Sequence, residues 1–207
     1  MTLIELMIGL VVGLIVISGA IYTFLVSFKS SRDVVYSARL NQELAAITSI
    51  ISDDIRRAGH WVQVGDLSSP YSDVGDDFNL VSSTCALYNY DTDADSIVSA
   101  AEYSGVRFSD SAIWVKTSGT SMTSCSAGAW ERLSDENFMS VDAMTLTDSS
   151  LCTVNASSAV CPASVGTDEV ASVREINITI TASVVNDSDW TKTVQETVKI
   201  RNNFYAD

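Results

Sequence analysis

The chain has 207 residues, 12 Lys and Arg against 26 Asp and Glu, and a formal charge of −14. Binding to nucleic acid phosphate needs a basic footprint, so the charge argues against nucleic acid as a partner, and 46% hydrophobic residues exclude wholesale disorder. One histidine and four cysteines build neither a multi-histidine metal centre nor a disulfide scaffold, but they suit two bridges in an oxidising compartment.

The charge is unevenly spread. Residues 1–60 carry five basic and five acidic side chains, which cancel, and residues 61–207 hold the other seven basic and twenty-one acidic ones. This divides the chain into a transmembrane or assembly half-helix at 1–28, an amphipathic half-helix at 29–60, and an acidic, water-facing, β-rich head at 61–207.

Leu6 to Phe28 is an uncharged run of 23 residues. As a helix it spans roughly 34 Å, about the hydrocarbon thickness of a bilayer. A signal peptide would begin with basic residues and end at a small-residue cleavage site; here Glu5 precedes the run, so it reads as an anchor that stays. A carboxylate beside hydrocarbon is costly unless paired, and the nearest partner is the α-amine of Met1, its own or a neighbour's. Gly9 and Gly13 permit close approach of a second helix.

Met1-Thr2-Leu3-Ile4-Glu5-Leu6-Met7-Ile8-Gly9-Leu10 resembles the mature amino terminus of type IV pilins and type II secretion pseudopilins. The resemblance implies that a leader is cut before residue 1, that the new amine is methylated, and that the chain is the processed form. It gives Glu5 the role of neutralising a neighbouring subunit's terminal amine, at Met1, during assembly. Tyr22 stands where many major pilins carry a helix-kinking proline.

Leu40, Leu44, Ile47, Ile51 and Ile55 recur at spacings of four, three, four and four, one face of a helix. The stripe predicts packing under the head, with Asp33, Asn41, Glu43 and Asp54 on the other faces. Gly59 is the expected stop, and Arg56 and Arg57 suit the negative helix end. Arg56-Arg57-Ala58-Gly59-His60-Trp61 resembles the helix ending of PilW-like minor pilins, as does Cys85-Ala86-Leu87-Tyr88-Asn89-Tyr90-Asp91 more weakly. His60 is read as structural, since no second histidine or nearby cysteine exists to build a metal site.

Beyond residue 60 strand signals take over. Val106–Phe108, Ala112–Lys116 and Phe138–Thr147 are short β-rich runs. Ile176, Ile178, Ile180, Ala182 and Val184 step by two, Asn186–Asp189 supplies turn chemistry, and Trp190, Val194, Val198 and Ile200 return in register. The fold class is therefore α+β and pilin-like: a long N-terminal helix, first transmembrane and then amphipathic, packed on an antiparallel sheet.

Residues 91–102 follow the spacing of a calcium loop. Asp91, Asp93, Asp95 and Glu102 would supply carboxylates, Ile97 a backbone carbonyl and Ser99 a water-linked contact. Ser96 occupies the position where glycine normally allows a sharp turn. The competing reading is a solvated acidic turn. Four cysteines allow three pairings; the short loop between Cys152 and Cys161 favours that bridge, which leaves Cys85 with Cys125. No C-x₂-C spacing supports zinc.

Catalysis is not expected: the chain lacks G-x-S-x-G, H-E-x-x-H and a phosphate-cradling glycine loop. The reading is a minor pilin that assembles with other pilin subunits through its helix, in the complex that starts or tips a type IV pilus used in twitching and adhesion. Its partners are the inner membrane before assembly, with the head periplasmic, then the assembly platform and the extracellular fibre; calcium is the one cofactor. The alternatives are a J-like pseudopilin of type II secretion and a membrane-tethered adhesin or binding module that never polymerises.

Overall fold

The computed structural model describes residues 2–61, 77–95, 97–154, 157–160, 170–185, 187–201 and 205–206. The chain divides into two compact units, Met1–Arg39 and Leu40–Asp207. One α-helix, α1, runs Leu3–Ile55. It is long and apolar enough to cross a membrane. Within the first unit its apolar side chains are exposed, among them Leu3, Ile15 and Phe24.

In the second unit Leu40, Leu44, Ile47, Ile51 and Ile55 are all buried, as their spacing requires. The helix ends four residues before the expected stop. After Ile55 the chain tightens into turns, with the Arg57 and Ala58 amides donating to the carbonyls of Asp54 and Ile55. Gly59, at φ +72°, then takes the left-handed conformation foreseen for it, and its amide donates to the Asn89 carbonyl at 2.8 Å. The α-helix ends short because the Arg57 and Ala58 amides bond three residues back instead of four, and the Gly59 amide is the first of the series to bond to the head.

Among the described residues the head holds three antiparallel sheets where one was expected. The first is a five-stranded meander of β1 (Phe78–Ser82), β2 (Cys85–Asn89), β3 (Tyr103–Ser109), β4 (Ala112–Ser118) and β5 (Ala129–Arg132). Asp110 and Ser111, both at φ +53°, form the two-residue turn between β3 and β4, with the paired positive φ angles of a tight hairpin. The second sheet has the order β11–β10–β6, from β6 (Met139–Asp148), β10 (Glu175–Val184) and β11 (Asp187–Lys199). The third joins β12 (Tyr205–Ala206), β9 (Val170–Val173), β7 (Leu151–Val154) and β8 (Ser157–Val160).

The β10–β11 hairpin is longer than its sequence signal. Asp187 already pairs with Val184, so residues 187–189, expected in the turn, belong to the strand, and Asn186 lies outside the described residues. Ile176, Ile178, Ile180, Ala182 and Val184 point inward and are buried. Thr181 Oγ1 and Thr193 Oγ1 meet at 2.9 Å on the opposite face.

Candidate functional site

Glu5 lies in the first turn of α1, where a carboxylate complements the positive helix end. Its Oε2 accepts from the Thr2 amide at 2.9 Å and the Thr2 hydroxyl at 3.3 Å, leaving Oε1 without a hydrogen-bond partner among the described residues. Met1, its expected counterpart, lies outside those residues.

Asp54 was expected on a polar face of the helix, but its carboxylate is turned to β2. Its Oδ2 accepts from the Tyr88 hydroxyl at 2.8 Å and its Oδ1 from the Tyr90 hydroxyl at 2.6 Å. Burial first, then the adjacent Asp54 charge, pushes the Tyr88 phenol well above its ordinary range; burial and the hydrogen bond to Asp54 raise Tyr90. The Arg57 guanidinium lies 5.9 Å from the Tyr90 ring centroid. This clamp secures the chain where it enters the acidic loop, and Asp91 extends the connection by donating its amide to the His60 carbonyl at 2.9 Å.

In the loop itself Asp91, Asp93, Asp95 and Glu102 converge, each with one carboxylate oxygen within 4.8 Å of the others. Opposed oxygens around Ca²⁺ at about 2.4 Å stand about 4.8 Å apart, so the spacing and the all-oxygen donor set fit that ion. Asp91 and Glu102 are buried; Asp93 and Asp95 are exposed. Side-chain-to-backbone bonds shape the loop: Asp91 Oδ1 accepts from the Ala94 amide at 2.7 Å and Asp95 Oδ1 from the Ile97 amide at 2.7 Å. Glu102 Oε1 accepts from the Thr92 amide at 3.0 Å and Oε2 from the Ser99 amide at 2.7 Å, so this one carboxylate closes the loop.

Of the two further expected contributors, Ile97 has an exposed side chain and Ser99 precedes a 3₁₀ turn at Ala100–Glu102. The left-handed residue described here is Ala94, at φ 65°, and Ser96 lies outside the described residues. The S-x-x-E spacing of Ser99 and Glu102, a capping-box pattern, signals the bond from the Ser99 amide, and no local pattern signals the one from Thr92.

Cys85 and Cys125 form a disulfide. Cys152 pairs through its backbone with Ala159 and Ser172, and Cys161 lies outside the described residues. The Cys85–Cys125 bridge pins the 119–128 loop over one face of the meander. Three side chains on the sheet hold that loop by its carbonyls: Asn79 Nδ2 to Met122 at 2.9 Å, Arg107 Nη1 to Cys125 at 2.8 Å, and Lys116 Nζ to Ser121 at 2.9 Å. Arg107 and Lys116 flank the Trp130 ring at 4.4 and 5.9 Å from its centroid, and burial lowers the Lys116 amine below its ordinary range. None of these groups forms a nucleophile–base pair, so the face reads as a structural clamp.

The family model described as PpdB, prepilin peptidase-dependent protein B, matches residues 33–200. Neither a curated protein nor a solved structure matches the chain.

Proposed function

The chain belongs to the prepilin peptidase-dependent protein B family, and from that premise we propose that it is a minor pilin of a type IV pilus, PilW-like in kind, acting in the complex that starts or tips the fibre. The family supports a pilin-like or pseudopilin-like role in general. The observation that carries the finer reading is the apolar first unit with Glu5 at its head. Its exposed apolar side chains gain from burial against lipid or other helices, and Glu5 Oε1 has no hydrogen-bond partner among the described residues. In this reading prepilin peptidase frees the Met1 amine, and Glu5 of one subunit receives the amine of another. The helix holds the protein in the inner membrane with the head periplasmic until the assembly platform moves it into the fibre. No step calls for catalysis.

Calcium belongs to the same proposal. The ion would supply positive charge to four converging carboxylates, and Asp91, Asp93, Asp95 and Glu102 would hold it. Backbone amides position all four carboxylates, Asp93 by the longest bond at 3.3 Å, and the exposed Asp93 and Asp95 are the two that solvent reaches before an ion binds.

Glu5→Ala in cells is expected to abolish incorporation into extracted fibres, read by antibody imaging, while the protein remains in the membrane. Full function with Glu5→Ala would favour a tethered binding module. Lost exoprotein release with intact twitching would favour a secretion pseudopilin.

A further inference from the structure

β11 stands at the edge of its sheet: β10 pairs with one side of it, and among the described residues no strand pairs with the other. From Thr191 to Lys199 its ladder with β10 runs without a bulge. An antiparallel edge strand turns the N–H and C=O groups of alternate residues outward, where another strand can bond to them. Charge decides which strand fits. The outer face, with Thr193, Gln195 and Thr197 beside Asn177 and Thr179, is uncharged up to Lys199, so the choice falls to the inner face. There, opposite the buried Ala182, Ile180 and Ile178, β11 carries Lys192, Val194 and Glu196. Glu196 meets Arg56 at 3.4 Å, whereas the half-buried Lys192 has no ion-pair or hydrogen-bond partner among the described residues. Four positions apart on one strand, Lys192 and Glu196 stand about 13 Å from each other and cannot meet.

We propose that β11 pairs edge to edge with β11 of a second copy of the chain, antiparallel, about a two-fold axis at Val194. That register sets Lys192 of each copy directly opposite Glu196 of the other, and Thr193 opposite Gln195. Paired side chains share a face, so the axis must fall on a residue. Centred on Lys192 or Glu196, the pairing lays like charges on each other. Centred on Thr193 or Gln195, it leaves both charges facing uncharged residues. Val194 alone joins the two charges.

A lone cation on the inner side of an edge strand keeps out a neutral strand, because pairing would cover it without a counter-charge. The same lysine admits a strand that brings a carboxylate opposite, and this chain's own β11 does so twice in each contact. The device that blunts the edge towards other proteins therefore selects a copy.

The test is oxidative cross-linking of the full chain in detergent. Val194→Cys, the position that faces itself across the axis, is compared with Glu131→Cys at an exposed site on β5, and the wild-type chain with its four native cysteines sets the baseline. Val194→Cys is expected to give roughly five-fold more dimer than Glu131→Cys, since pairing raises the local concentration at residue 194. Adding Lys192→Glu should bring the yield down to that of the control, because two like-charged pairs then stand opposite each other. Lys192→Glu with Glu196→Lys should restore it. The unmodified chain gives a second readout: amide exchange in residues 192–196 should slow as protein concentration rises, while exchange in β5 stays constant. Equal yields from residues 194 and 131, a charge swap that restores nothing, or exchange in β11 that ignores concentration overturns the inference. The contact needs neither a fibre nor the Met1 amine, so it goes beyond the proposed function and its outcome is read apart from that of Glu5→Ala.

Discussion

Residues 3–39 and residues 40–55 belong to one helix but meet different surroundings. In the first stretch Leu3 is 80% exposed and Ile15 66%, whereas in the second Leu40, Leu44 and Ile55 are fully buried. The first is apolar on every side from Leu6 to Phe28, so that run has no inner face of its own and needs lipid or neighbouring helices to cover it. The second is apolar on one stripe, and the head covers that stripe. Helix formation is thus a property the two stretches share; where the free energy of burial is realised separates them.

The largest expected effect breaks the symmetry of that helix. Leu44→Ala should destabilise the head by about 2–5 kcal/mol, because a fully buried leucine leaves a cavity. Ile15→Ala, in the exposed stretch, should change head stability by less than about 0.5 kcal/mol. Thermal unfolding of the full chain in detergent, followed by the near-ultraviolet signal of the head tryptophans, checks both. A comparable loss in the two variants would show that the first stretch contributes to the head's core.

Removing Cys85–Cys125 by a double serine substitution comes next. The bridge closes a sequence separation of 40 residues, and chain entropy assigns it about 4 kcal/mol. The Asn79, Arg107 and Lys116 contacts to the loop carbonyls remain, so native amide exchange should persist in residues 119–128 once denaturant is absent.

The tyrosine clamp gives a smaller, pH-dependent effect. Tyr88→Phe with Tyr90→Phe should cost roughly 2 kcal/mol, since two hydroxyls that donate to a carboxylate are lost. In the folded state both phenols titrate above the ordinary value of 10.0, so their contribution is complete below pH 10 and is lost as pH rises beyond it. Lys116 works in the opposite sense: its folded amine loses its proton more readily, so its contribution grows as pH rises towards 10.5. The double phenylalanine variant should therefore show a flatter alkaline loss of stability than wild type.

The smallest effects separate the loop's architecture from its ion. Glu102→Gln removes an acceptor for one of two backbone amides and should cost about 1–2 kcal/mol even without calcium. Asp93→Asn, at an exposed position, should stay within about 0.5 kcal/mol without calcium. It should also lower the heat of calcium binding in a calorimetric titration of the full chain. No heat from wild type at millimolar calcium would leave the acidic loop a purely structural turn.

Periodicity made much of the head legible. The Leu40–Ile55 stripe, the Ile176–Val184 alternation and the approximate end of the helix are all local patterns, and local patterns can be read before any partner is known. The acidic loop was legible as a set of carboxylates at calcium-loop spacing, but its closing by Glu102 through two backbone amides was not. Asp54 was misplaced for a related reason: its tyrosine partners lie 34 and 36 residues away, and helical position alone does not reveal a distant donor.

From its residues alone this protein has an apolar rod, an amphipathic continuation and an acidic head, because hydropathy and charge are properties each side chain carries with it. Only tertiary structure decided that the described residues of the head divide into three sheets, that Arg174 pairs with Asp77 across 97 residues, and that the uncharged Thr, Asn and Gln side chains fall on one face. Each of those outcomes depends on strand register and chain crossing, and a pairing between distant segments is set by the free energy of the whole packed domain.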